Sequence, residues 1–171
     1  MRRTSPIAGA ALFALLFTPW PAPLLAQTWQ SAAVCAVCHV EIHRTWQGSQ
    51  HASAFTDPAF RLPYDRLRRE NPGKTFTCEH CHNPMRFLLP PGDPRAAIFS
   101  REGVTCDFCH SVSAVDATGP FPRYRTKPGV KFGPHPDHPG KGLHIRKFSR
   151  LHITSEFCAG CHEFRNEHGV L

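Results

Sequence analysis

Cys158-Ala159-Gly160-Cys161-His162 repeats a pattern already used three times, at Cys35-Ala36-Val37-Cys38-His39, Cys78-Glu79-His80-Cys81-His82 and Cys106-Asp107-Phe108-Cys109-His110. The four copies use all 8 cysteines of the 171-residue chain. Cys-x-x-Cys-His is the attachment signature of c-type haem. Its two thiols add across the porphyrin vinyl groups. On a helical turn positions i, i+3 and i+4 share one face, so the histidine reaches the iron that the cysteines have pinned. Zinc and cystine are the competing readings of paired cysteines. With 12 histidines in 171 residues, one follows a given pair by chance about 7% of the time, so four in four falls to roughly a few in 100,000 for a zinc-ribbon spacing. Four disulfides in a secreted chain leave the trailing histidines equally unexplained.

Export fits this chemistry. Arg2 and Arg3 precede an apolar run from Ile7 to Phe17, then Pro21, Pro23 and Ala26, which reads as a secretory signal over residues 1–26. The apolar run is short for a bilayer span, so no stable span is expected after cleavage, and the expected location is the periplasm or another extracytoplasmic space. Residues 27–171 then form a single tetrahaem domain. About 36 residues per haem are too few for a conventional core, so the porphyrin faces are expected to supply it. The expected class is mainly α with extensive loops: a multihaem cytochrome c fold organised around four covalently bound haem c groups, with little or no β-sheet.

The formal charge of +7 falls to +5 without the two leader arginines. About eight propionates from four haems offset it further, and the basic side chains read as their partners. No basic run interleaves with aromatics, which argues against nucleic acid.

Residues from Ala32 to about Gln50 suit one helix. On a straight helix His39 and His51 would lie about 18 Å apart and about 120° around the axis, so they could not clamp one iron, and a ligating His51 would serve a different haem. His43 shares the face of His39. A short solvated helix is expected around Tyr64 to Glu70, and Met85 reads as packing. Residues 111–142 read as a Gly-Pro-aromatic loop, either wrapped over a haem or mobile, and Leu143 to Phe157 as another helix carrying His144 and His152 on one broad face. His82 and His110, 28 residues apart, suggest the most tightly stacked haem pair.

Ligation of four irons by two histidines each needs four imidazoles beyond His39, His82, His110 and His162. His51, His144 and His152 lead, followed by His43, His135, His138 and His168. His80 lies inside a haem-binding loop and should point away. The spacing leaves open which distal histidine serves which haem.

The words Trp46-x-x-Ser49-x-His51-Ala52, Gly103-Val104-Thr105-Cys106 and Ser155-Glu156-Phe157-Cys158-Ala159-Gly160-Cys161-His162-Glu163 resemble the multihaem cytochromes of the cytochrome c-554 family over most of residues 27–171. The resemblance implies an extracytoplasmic electron carrier with stacked haems, mostly ligated by two histidines, and places His51, His144 and His152 where distal ligands are found. His43 stands where relatives more often have an aromatic residue. Relatives tend to continue past Asn166-x-x-Gly169-Val170, so a C-terminal truncation is expected. The expected partners are redox proteins, either other cytochromes or a quinol-linked membrane complex. Two other functions remain in view. One is a haem enzyme with one open iron acting on small nitrogen or sulfur compounds, although no motif has lysine in place of its histidine. The other is a subunit of a haem-lined filament.

Overall fold

The structure, a computed structural model, describes residues 29–119, 121–139 and 144–163. The expected signal over residues 1–26 and the candidate ligand His168 lie outside the described residues. The chain is built from short helices: α1 (Ala32–Ala36), α2 (Val40–Gln47), α3 (Gln50–Ser53), α4 (Pro58–Glu70), α5 (Phe76–His82), α6 (Ala96–Glu102), α7 (Cys106–Ser111) and α8 (Glu156–His162). Two small sheets lie between α7 and α8. β1 (Val112–Asp116) pairs antiparallel with β2 (Arg123–Thr126), with a register shift between Val112 and Ala114, and β3 (Val130–Gly133) pairs parallel with β4 (Ile145–Phe148).

Local chemistry explains where helices stop. The single helix expected over 32–50 is three pieces. His39 leaves helical dihedrals at φ −104°, ψ 50°, and the Ser49 side chain caps a new helix by accepting from Ala52 N. The helix expected from Tyr64 is longer, starting at an Asp57 cap that accepts from Ala59 N with Pro58 in the first turn, and Tyr64 is buried in it. The expected helix over 143–157 is not found: its described residues form β4, a 3-10 turn at Arg150–Ile153 and only the first two residues of α8. Periodicity from 144 onward suited a helix, but β3 offers a strand edge, and the Val130↔Ile145 to Gly133↔Phe148 register uses it. The loop expected over 111–142 is likewise corrected in part, since β1, β2 and β3 are interspersed through it. Little sheet is present, but it is not negligible.

The apolar core is small: Trp29, Met85, Leu89, Phe99, Val104, Phe108 and Val112. Met85 is fully buried there, as packing requires. Large apolar side chains elsewhere stay exposed, Val37 at 79% and Ile42 at 66% among them.

The first and third motifs are held together by hydrogen bonds across about 70 residues of sequence. The Glu102 carboxylate, at the end of α6, accepts from Ser31 Oγ, from Ala32 N at 3.0 Å and from Thr105 Oγ1 at 2.7 Å. It thus caps α1 and anchors the start of α7. Glu102→Ala strands the buried Ala32 N–H and Thr105 hydroxyl, and is expected to lower stability by about 2–3 kcal/mol. Thermal unfolding reads this, and an unchanged Tm would show the anchor to be dispensable.

Candidate haem-binding sites

Motifs two, three and four lie on α5, α7 and α8, and the first straddles the end of α1 and the turn into α2. Short helical turns bring each pair of thiols and its histidine to one side. All 8 cysteines are free thiols, and none forms a disulfide. Among the described residues no three or more His, Cys, Asp or Glu side chains converge to hold a bare metal ion. A zinc ribbon would place four such ligands together.

The imidazoles instead come in opposed pairs. The ring centroids of His39 and His144 are 6.3 Å apart, those of His51 and His162 6.1 Å, and those of His110 and His152 6.0 Å. An iron about 2 Å from a nitrogen of each ring, with roughly 1.1 Å from nitrogen to ring centre, requires about 6 Å. Each pair joins one motif histidine to one from elsewhere. The donor set and the spacing therefore fit haem.

Hydrogen bonds orient several of these rings. His110 Nδ1 lies 2.7 Å from the Phe132 carbonyl and His82 Nδ1 2.7 Å from the Ala54 carbonyl, which fixes each Nδ1 as donor and leaves Nε2 the free ligand atom. His152 is reversed. Its Nε2 donates to the Cys109 carbonyl at 3.0 Å, and its Nδ1 is buried without a hydrogen-bond partner, as a metal-facing nitrogen would be. Burial lowers the His152 pKa, and burial with the nearby charge of Lys131 lowers that of His144, so both rings favour the neutral form that binds metal.

His51 is set by α3. Val104 N donates to the His51 carbonyl at 2.9 Å, and Gly103, at φ +57°, lies so close that a Cβ there would sit 2.6 Å from that same oxygen. Trp46 Nε1 adds a bond to the Val104 carbonyl at 2.9 Å. The words singled out around Trp46, His51 and Gly103 thus form one contact.

The other histidines are placed differently. His43 packs at a tilt against Trp46, with ring centroids 5.4 Å apart. His135 and His138 lie exposed in the turn before β4, where the His138 backbone bridges Arg146. His80 is sandwiched between Phe87 at 3.9 Å and Phe121 at 5.0 Å. His82 is the motif histidine whose ring neighbour is a phenylalanine, Phe60, stacked at 4.0 Å.

The motifs also meet in twos. The Cys35 and Cys106 thiols lie close enough to perturb each other, as do those of Cys81 and Cys161, while α1 packs on α7 and α5 on α8. Motif one therefore adjoins motif three, and motif two adjoins motif four. The sequence spacing had instead suggested motifs two and three. Gly160 lets the fourth motif seat closely, since a Cβ there would lie 3.0 Å from Tyr124 Oη and 3.1 Å from Val115 Cγ1.

The family model described as cytochrome c554 and c-prime matches residues 34–111, which include three of the four motifs. Over that stretch the chain is similar to the multihaem c-type cytochromes of this family. Its fold is similar to the crystal structure of a penta-heme cytochrome c552 from Thermochromatium tepidum, with a TM-score of 0.60 and 26% identity. The match covers 83% of this chain and 48% of that one, so this cytochrome spans about half the length of its structural relative. No curated protein matches its sequence. No described helix of the cytochrome is long and apolar enough to cross a membrane.

Proposed function

We propose that the protein is an extracytoplasmic electron carrier holding four haem c groups, three of them between paired histidines. The observation that carries this reading is the set of three imidazole pairs at 6.0–6.3 Å, each joining a motif histidine to a distant one. His39 and His144 hold one iron, His110 and His152 a second, and His162 and His51 a third, with the cysteine pairs forming the thioether links. His82 holds the fourth. When bound, haem supplies a one-electron couple at each site. With a histidine on each side, such a site would leave the iron no free position for substrate. Carbonyls at Phe132, Ala54 and Cys109 lock ring orientation, so little rearrangement accompanies a change of charge at the iron. Export by the leader over residues 1–26 places these sites outside the cytoplasm, where redox proteins are the partners.

Among the described residues no imidazole pairs with His82, whose ring contact is Phe60, which favours a second reading for motif two alone: an iron that would be open on one side and bind a small ligand. Offering carbon monoxide to the reduced holoprotein separates the two. Three haems are expected to stay low-spin and unreactive. A carbon monoxide adduct at one haem assigns motif two an open site, and adducts at several would defeat the carrier reading. Intact mass is expected to show four covalent haems.

A further inference from the structure

The positive charge of the chain is concentrated in one segment. Residues 121–153 carry eight lysines and arginines against one acid, Asp137, while the remaining residues carry 12 of each sign. This segment contains β2, β3 and β4. Its groove, about 540 Å³, is lined by Val130, Phe132, Ile145 and Phe148 with Lys127 and Lys147 at the edge. Ile145 is 44% and Phe148 50% exposed.

The groove runs along the β3–β4 pair. Strand alternation puts His144 and Phe148, two residues either side of Arg146, on the side where Lys131 meets the buried Asp107, and puts Val130, Phe132, Ile145 and Lys147 on the other, with Phe148 reaching the groove at the end of β4. The groove still touches a redox site through the backbone: the Phe132 carbonyl accepts from His110 Nδ1 at 2.7 Å. Asp137 is spent on Lys147 Nζ at 2.6 Å and Phe148 N at 2.8 Å, and among the described residues Lys127 makes no ion pair.

We propose that this groove is the face on which an acidic redox-partner protein docks, delivering or taking electrons beside the His110–His152 site. The proposal rests on the carrier reading above and adds to it the face and the charge of the partner. An apolar centre within a charged rim is the anatomy of a protein interface, and the excess of positive charge selects and steers an acidic one. An anionic lipid surface would use the charge but not the apolar groove.

The test uses the full holoprotein with flavodoxin, a small acidic flavoprotein, as the probe. Its hydroquinone loses one electron and one proton to become the semiquinone as one ferric haem becomes ferrous. Lys127→Glu is expected to slow reduction about 10-fold at low salt, with the difference shrinking as salt screens it. Ile145→Ser is expected to weaken binding of oxidised flavodoxin about 5-fold by biolayer interferometry, without altering its salt dependence. Arg69→Glu, on α4, makes the same change of net charge outside the basic segment and is expected to leave both readings unchanged. Equal slowing by the two charge reversals, or none by either, overturns the docking face and leaves the carrier intact. A holoprotein that takes no electrons from flavodoxin defeats the carrier reading and the docking face with it. Binding to phosphatidylglycerol vesicles that Lys127→Glu abolishes, with the flavodoxin rate unchanged, replaces the protein partner by a membrane surface.

Discussion

Replacing His51 by alanine is expected to turn one low-spin haem high-spin and to open it to carbon monoxide, while the remaining haem signals keep their shape. The His51 ring lies 6.1 Å from that of His162, so the altered haem is the one attached at Cys158 and Cys161, although motif one is far closer in sequence. Loss of an imidazole from a six-coordinate iron leaves a vacant position that no described side chain of this segment fills. Resonance Raman spin-state markers and the ferric electron paramagnetic resonance spectrum read the change as one haem equivalent. His43→Ala is the matched control: His43 packs on Trp46, and its removal is expected to leave spin state alone. A His51→Ala protein with the parental spectrum would remove His51 from the ligand set.

Gly103→Ala is expected to disturb that same haem without touching a ligand. At φ +57°, ψ −113° the backbone of residue 103 is in a region that side chains avoid, and the added methyl would meet the His51 carbonyl at 2.6 Å and Ala54 N at 3.0 Å. All of these neighbours are backbone, so relief requires α3 to move and His51 to move with it. A loss on the order of 3 kcal/mol is expected, which lowers Tm by roughly 10 °C in a domain of this size. The second readout is spectroscopic. A high-spin fraction should appear at the His51–His162 haem while the His39–His144 and His110–His152 haems stay low-spin. A variant with both parental Tm and parental spectrum would show that α3 tolerates the displacement.

Much of the site was legible because its chemistry is local. Two thiols and an imidazole within five residues make their case with no knowledge of the fold, and arithmetic on 12 histidines disposes of coincidence. Helix geometry also separated His39 from His51. The break at His39 shows that the straight helix assumed there does not exist, yet the two rings still face different partners. Less legible was everything set by strand pairing. His144 was read on a helix with His152, whereas β4 carries the chain from one to the other because β3 offers a parallel edge at Val130–Gly133. The neighbouring of motif one with motif three was missed because it depends on Glu102 and Asp107 reaching back about 70 residues to residues 30–32.

The residues alone settled the kind of molecule: a multihaem c-type cytochrome with four attachment motifs and more histidines than four irons need. Those facts depend on contacts within one helical turn, where sequence order and spatial order coincide. The partnering of His144 with His39, His152 with His110 and His51 with His162, the close seating of Gly103 under α3 and the basic groove on the β3–β4 pair came from the folded chain. Each joins segments 15 to 111 residues apart. Contacts at such separations are fixed by packing and strand register, which no local spacing encodes.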